Sequence, residues 1–411
     1  MRMENEQHAC FLDSCDLEAA NGLNEYSWLM GFGSIANFDS KDASSALSGL
    51  QNFHNNKKDW LFGVLSYDIK SSVHPSLKSH NTDGHKQPLI SFFQPSTLAY
   101  EKDGVVYLES QENAQIILDG ILSLDHQRKS NELAIKEITA SVSRDHYLKT
   151  IHRIKEEISL GNVYEVNYCV NNQTHVEPDF SPTALFRQLC RVSPAPFAAF
   201  FKYDHHCLMS SSPERYLKKE GSKLISQPIK GTRPRGTNAE DDLQQKLELQ
   251  NSLKERAENV MIVDLVRNDL AHTCLPATVH ARELFGIYSY KQVHQMVSTI
   301  EGTMEEQLEW VEAIRQSFPM GSMTGAPKIA AMQLIEDIED FKRGWYSGSV
   351  GYVDPDGNFD FNVIIRSLLL NRETGILSFA TGGAITYDSS AEEEWRECEL
   401  KASGIRTVLN S

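Results

Sequence analysis

The chain has 411 residues, of which 40% are hydrophobic, with a formal net charge of −16 and a pI near 5.4. That much apolar material supports a large buried core, while the negative balance excludes nucleic acid as the main partner, because phosphate binding draws on lysine and arginine. No apolar run approaches the roughly 20 residues of a membrane span, and the start "MRMENEQHAC" lacks the apolar centre of a signal peptide.

The seven cysteines are scattered and include no CxxC pair, which fits reduced thiols in the cytoplasm better than a disulfide frame or a zinc site. Residues 1–140 read as short strands at 60–69, 88–95 and 104–110, with 71–87 a loop by composition. Tyr147, Ile151, Ile154 and Ile158 recur at helical spacing, so 143–162 is predicted as an amphipathic helix closed by Gly161. A strand at 163–170 and a helix at 182–191 follow, then strands near 198–218 and 223–229. One long helix is expected over 239–266, strands over 345–353, 360–370 and 376–387, and a last helix over 390–403. Strands joined by short turns such as Asp356-Gly357 indicate antiparallel sheets, hence an α+β fold in one large domain.

In the last helix, "EEEWRECELKA" puts Glu394, Glu397 and Lys401 on one face. The plain reading is an exposed ion pair between Glu397 and Lys401. The preceding "ATGGAITYDS" reads as a Gly-Gly turn, where Gly382 and Gly383 let backbone amides approach an anion. Glu258, in "ERAENVMIVDLVRNDL", lies near the apolar side formed by Met261, Ile262 and Leu265. Glu258 and Glu397 from separate helices would make a sparse Mg²⁺ site completed by water and substrate oxygens. "FPMGSMTGAPK" places Gly321 and Gly325 before a helix, either as a simple helix entry or as an anion cradle. P-loop and GxGxxG spacings are missing. Arg366, a charge among apolar neighbours in "FNVIIRSLLL", calls for a buried carboxylate or an anionic ligand. In "QPIKGTRPRG", Lys230 stands close to Arg233 and Arg235, and that positive crowding would favour a neutral, nucleophilic amine.

Together with "SSSPERYL", "VHQMVSTIEG" and "RGWYSGSVGY", these stretches resemble the chorismate-utilising enzymes: the component I chains of anthranilate and aminodeoxychorismate synthase, isochorismate synthase and salicylate synthase. The resemblance is strong over roughly 145–411 and looser over the first 140 residues, so 1–140 is expected to be the N-terminal part of the fold and 141–411 the chorismate-binding catalytic region. It implies two large packed sheets, Glu258 and Glu397 as Mg²⁺ ligands, Arg366, Gly325, Gly382, Gly383 and Thr232 as substrate contacts, Lys401 beside the metal, and Glu214 as general acid or base. Anthranilate synthases have alanine where Lys230 stands. The "PIKGT" form resembles the aminodeoxychorismate synthases, in which this lysine attacks C2 of chorismate as the C4 hydroxyl leaves, and ammonia then adds at C4.

Two positions depart from the common pattern: Glu165 replaces a glutamine after Tyr164, and Gln295 replaces a histidine, with His294 one place earlier. Glu165 is not the lysine that isochorismate synthases use to activate water, which weakens that alternative. No counterpart of the tryptophan-binding "LLES" segment is evident near the N-terminus. None of the cysteines sits in the Gly-x-Cys-x-Gly context of a glutaminase, so a separate glutaminase subunit is the expected ammonia source, and conversion to 4-aminobenzoate is expected to need another enzyme. Anthranilate synthase is the nearest rival; a pyridoxal Schiff base on Lys230 and a non-catalytic subunit are the readings from other classes.

Overall fold

The computed structural model describes residues 2–17, 22, 24–77, 79–122, 137–177 and 180–410. Its strands form two antiparallel sheets, of 11 and 10 strands, whose facing sides enclose the main core. Phe62, Phe92, Phe201, Trp345 and Phe361 are among the side chains that fill it. Segments from the first 140 residues are woven into both sheets: His8–Asp13 pairs with Phe197–Tyr203 in the larger one, and Leu61–Leu65 with Ser349–Val353 in the smaller. Helices Pro182–Val192 and Ala391–Leu409 cover a second apolar cluster on the larger sheet, and Arg144–Ser159 and Lys328–Ile338 a third. No helix among the described residues is long and apolar enough to cross a membrane.

Two predicted elements divide, and a third runs longer than expected. The helix expected over 239–266 is two, Ala239–Asn251 and Leu253–Ala271. The chain turns extended at Ser252, whose hydroxyl accepts from Glu255 N–H at 3.3 Å and so starts the second helix. Ser252 and Glu255 carry the S-x-x-E spacing of a capping box, a signal the apolar periodicity had masked. The strand expected over 360–370 is also two: Phe359–Val363 belongs to the smaller sheet and Ser367–Asn371 to the larger. The final helix runs on to Leu409 because Ile405, Val408 and Leu409 are buried.

The division at 364–366 has a neighbour. Alongside it, His206–Ser212 lies in the larger sheet and continues as Arg215–Glu220 in the smaller. Two adjacent strands therefore cross between the sheets side by side. Their crossings are stitched by Val363 N–H to Glu214 O at 3.0 Å and Ser211 N–H to Arg366 O at 3.2 Å. Arg366 takes a left-handed φ of 50°, a conformation a non-glycine residue keeps only where its surroundings enforce it.

Trp345 is fully buried between the sheets, against Phe201 and His206. Replacing it by alanine is expected to cost about 3–5 kcal/mol of unfolding free energy, the range for emptying so large a core site, measured as a lower urea midpoint.

Candidate active site

Lys230 lies on the strand Ile229–Pro234 at an end of the smaller sheet, and Glu165 opens the strand Glu165–His175 near an end of the larger one. Their side chains meet across the gap, Lys230 Nζ donating to Glu165 Oε1 at 2.8 Å. A register shift between Ile229 and Thr232 marks a bulge at Lys230 and Gly231, with Gly231 at φ +91°. A bulge of this kind re-aims the lysine out of the regular alternation. The lysine side chain is 10% exposed and the glutamate fully enclosed, with Glu165 Oε2 lacking a hydrogen-bond partner among the described residues.

The expectation about positive crowding is corrected here. Arg235 is held away by paired hydrogen bonds to Asp242 at 2.7 Å and by the Tyr290 carbonyl, and Arg233 and Thr232 are exposed on the outer half of the strand. The charges that act on Lys230 are negative. Burial pulls its pKa down, but Glu165, then Glu258 and Glu214, outweigh burial and hold the ammonium above its usual range. Arg235 turns to Asp242 and Arg233 to solvent, so nearness in sequence did not place the arginines near the amine.

Glu214 and Arg366 come together at the sheet crossings. Burial pushes the Glu214 carboxyl up to about 7, against the opposing pull of Ser322, Lys230 and the Ile229 N–H. Arg366 has no hydrogen bond or ion pair from its guanidinium among the described residues; burial lowers its pKa, and Glu214 partly offsets that. A partly buried guanidinium without such a partner is ready to receive a carboxylate.

The two proposed metal ligands share charged neighbours. Glu258, on Leu253–Ala271, and Glu397, on Ala391–Leu409, act on the same two lysines, Lys230 and Lys254. Burial holds the Glu258 carboxyl up at about 7, with Glu255 and Glu165 adding to it. Glu397 is ion-paired with Lys401 at 2.7 Å, and Lys401 also donates to the Gly382 carbonyl at 2.8 Å. Burial opposes ionisation of Glu397, but Lys401 and the other lysines keep its pKa below the usual range. Lys254 was missed from sequence, although it stands four residues before Glu258 and pairs with it at 3.9 Å.

The glycines serve close approach. Gly382 and Gly383 lie within the strand Ile376–Ile385, opposite Cys169 and Tyr168, rather than in a turn. A Cβ on Gly382 would sit 2.3 Å from the Tyr168 carbonyl, and one on Gly383 would sit 3.1 Å from Glu394 Oε2, filling the space beside Glu397 and Lys401. Gly325, at φ +141°, has no room for a Cβ, which would lie 2.0 Å from the Glu165 carbonyl. Its segment is locked to the Glu165 strand by Arg343, which donates to Met323 O at 2.7 Å and Asn167 O at 2.8 Å. Arg343 is ion-paired with buried Glu339 at 2.6 Å, and Lys328 pairs with Asp269 on the Glu258 helix at 2.6 Å. Gln295 is buried with its Oε1 unpartnered among the described residues, while His294, on the opposite side, bonds Asp242 and Ser289.

The family model for chorismate binding enzymes matches residues 9–407. An aminodeoxychorismate synthase of Streptomyces griseus is 42% identical over 269 residues, 65% of this chain and 37% of that protein. Anthranilate synthase component 1 of Saccharolobus solfataricus is 32% identical over 352 residues, covering 86% of this chain and 81% of that one. The crystal structure of anthranilate synthase component I from Streptococcus pneumoniae superposes with a TM-score of 0.80 at 21% identity, covering 94% and 93% of the two chains. The chain thus spans little more than a third of the Streptomyces relative.

Removing the Glu165 charge should release Lys230. In Glu165→Gln the pH at which Lys230 becomes reactive to an amine-acylating reagent, followed by peptide mass spectrometry, is expected to move downward, because the ammonium loses its nearest anion. An unchanged profile would assign its high pKa to the other carboxylates.

Proposed function

The chain belongs to the chorismate binding enzymes, and on that premise we propose that it converts chorismate and ammonia to 4-amino-4-deoxychorismate through a covalent adduct on Lys230. The observation that carries this reading is the enclosed lysine, seated on Glu165 and facing Glu214. Arg366 receives a substrate carboxylate, the Cβ-free backbone at Gly383 leaves space beside Glu397 and Lys401, and Gly325 and Gly382, packed closely on neighbouring backbone, contact the substrate through their main-chain groups. Thr232, exposed on the outer half of its strand, is the weakest of the proposed contacts.

In this mechanism Lys230 passes a proton to Glu165 inside the ion pair and the freed amine bonds to C2. The ring double bonds shift, the C4–O bond breaks, and the leaving oxygen takes the Glu214 proton to depart as water. Ammonia then bonds to C4, the double bonds return, and the C2–N bond breaks to release the lysine amine. That amine recovers its proton from Glu165, and the new ammonium at C4 gives up a proton that restores Glu214. The enclosed site serves the chemistry twice, because it keeps Glu214 protonated near neutral pH and keeps water from competing with ammonia at C4.

Magnesium is the proposed cofactor, with Glu258 and Glu397 as its protein ligands. The residues fit a hard cation: both offer carboxylate oxygens, and burial, with Glu255 and Glu165 adding to it, holds Glu258 up at about 7, a cost of ionising that a divalent ion would relieve. When bound, the ion would neutralise negative charge on the substrate. Ammonia is proposed to come from a separate glutaminase subunit, and the scattered cysteines favour a reducing compartment, the cytoplasm. Formation of anthranilate is the second reading, favoured by the long match to the Saccharolobus relative.

Incubation with chorismate, Mg²⁺ and ammonium is expected to yield aminodeoxychorismate, with Lys230→Ala losing more than ~10²-fold of that activity. Without ammonia, mass spectrometry should find the Lys230 peptide heavier by chorismate less one water. Full activity in the alanine variant would rule out the covalent route, and a fluorescent product would favour anthranilate formation. The acid form of Glu214 is required, so kcat/KM is expected to fall as pH rises through about 7, and Glu214→Gln should abolish that limb.

A further inference from the structure

A cavity of about 220 Å³ opens beside the main core, and no proposed catalytic, substrate or metal residue is among the described residues that line it. Its floor is buried. Leu369 and Ala380, on neighbouring strands of the larger sheet, meet Phe341 and Tyr346 there, and all four belong to the main core. The rim, at Thr82, Ser141 and Gln173, is exposed. Residues 82–85 are strapped across to both walls: the Thr82 carbonyl accepts from Lys342 N–H at 2.9 Å, and His85 Nε2 lies 2.7 Å from Ser378 Oγ. The His85 carbonyl accepts in addition from His206 Nε2 at 2.9 Å and from Asn371 Nδ2 at 3.2 Å, which fixes the strap in place.

The chemistry of the lining is specific. Asn171 and Gln173 stand two apart on the strand Glu165–His175, hence on one face of it, and their side-chain amides make no hydrogen bond among the described residues. His85 Nδ1 is buried and likewise without a partner among them. Burial, with His206 adding to it, pushes His85 down to about 4, so its ring is neutral at pH 7. The cations at the cavity are committed elsewhere: Arg343 to Glu339 and to the carbonyls of Met323 and Asn167, and Lys342 to Asp83 at 3.8 Å. Asp340, a carboxylate on the exposed rim, would repel an anion. A side-chain amide pairs at two points with a ring edge that sets an N–H beside a carbonyl or ring nitrogen, and aromatic neighbours favour a flat ligand. The volume lies below the roughly 300–1,000 Å³ of sites for drug-sized ligands, which leaves room for one small ring system.

We propose that this cavity is an accessory binding site for an uncharged, planar nitrogen heterocycle of nucleobase size. Asn171 and Gln173 take its hydrogen-bonding edge, His85 gives a third polar contact, and Phe341 and Tyr346 pack against the ring. The strands that carry Asn171 and Ser378 also carry Glu165 and Gly383, so the accessory site and the candidate active site share two strands without sharing a side chain. Binding here requires no chorismate and stands independently of the chorismate reading.

The test is saturation-transfer NMR on the intact chain, with uracil and adenine as probes and benzoate as the anionic control. Transfer to the ring protons of at least one base is expected, with benzoate silent. Gln173→Leu and Asn171→Leu should each raise the Kd about five- to tenfold, the loss of a hydrogen bond to a buried edge. Gln173 is exposed, so its variant should keep the urea midpoint of the unsubstituted chain and report on binding alone. No transfer to either base at millimolar concentration, an equal response from benzoate, or unchanged binding when both amides are replaced would overturn the proposal.

Discussion

The ion pair between Lys230 and Glu165 is the one contact on which the site depends, because it spans the two sheets at the place where both come to an end. Enclosing a lysine and a glutamate removes hydration from each, and their mutual attraction offsets that only while the geometry holds. Either partner alone would be a buried charge seeking solvent. The pair therefore constrains the distance between sheet ends, and through that distance the position of everything mounted on them. The Arg343 contacts and the close approach at Gly325 serve the same end, holding the Glu165 strand against the loop that faces it.

The second constraint is the double crossing. Two neighbouring strands leave one sheet for the other at the same level, so residues 152 positions apart in sequence, Glu214 and Arg366, emerge side by side. A regular strand would have buried one of them in each sheet's interior. The crossing lifts both out of the ladder, and the left-handed backbone at Arg366 is the local cost. It also leaves a buried acid close to a partly buried guanidinium without a direct ion pair between them, so that burial holds the acid up at about 7 and the guanidinium stays free for an anion.

The site's electrostatics invert the picture that the residues around Lys230 suggest in sequence. Positive neighbours in the chain face outward, and negative ones arrive from a distant strand, two helices and the sheet crossing. Such a site stores its amine as an ammonium and must carry its own proton acceptor. Glu165 places a carboxylate at hydrogen-bonding distance from that amine. Burial, with Glu255 and Glu165 adding to it, explains why Glu258 resists ionisation, and Lys254 and Lys401 stand on the same two helices as Glu258 and Glu397.

The sequence by itself determined the class of fold, because alternating strands, short turns and amphipathic helices such as 144–159 are written in local periodicity. It also singled out the residues of the candidate site, since Lys230, Glu214, Glu258, Arg366 and Glu397 stand in stretches that resemble one family, whose model matches the chain. Element ends were less legible: the break at Ser252 hid inside a continuous helical pattern, and the strand through Ile364–Arg366 gave no sign of changing sheets. Tertiary structure alone decided which charges face one another. Coulomb forces act through space, and only the folded chain brings Glu165 to within 2.8 Å of Lys230 while turning Arg235, five residues away in sequence, toward Asp242.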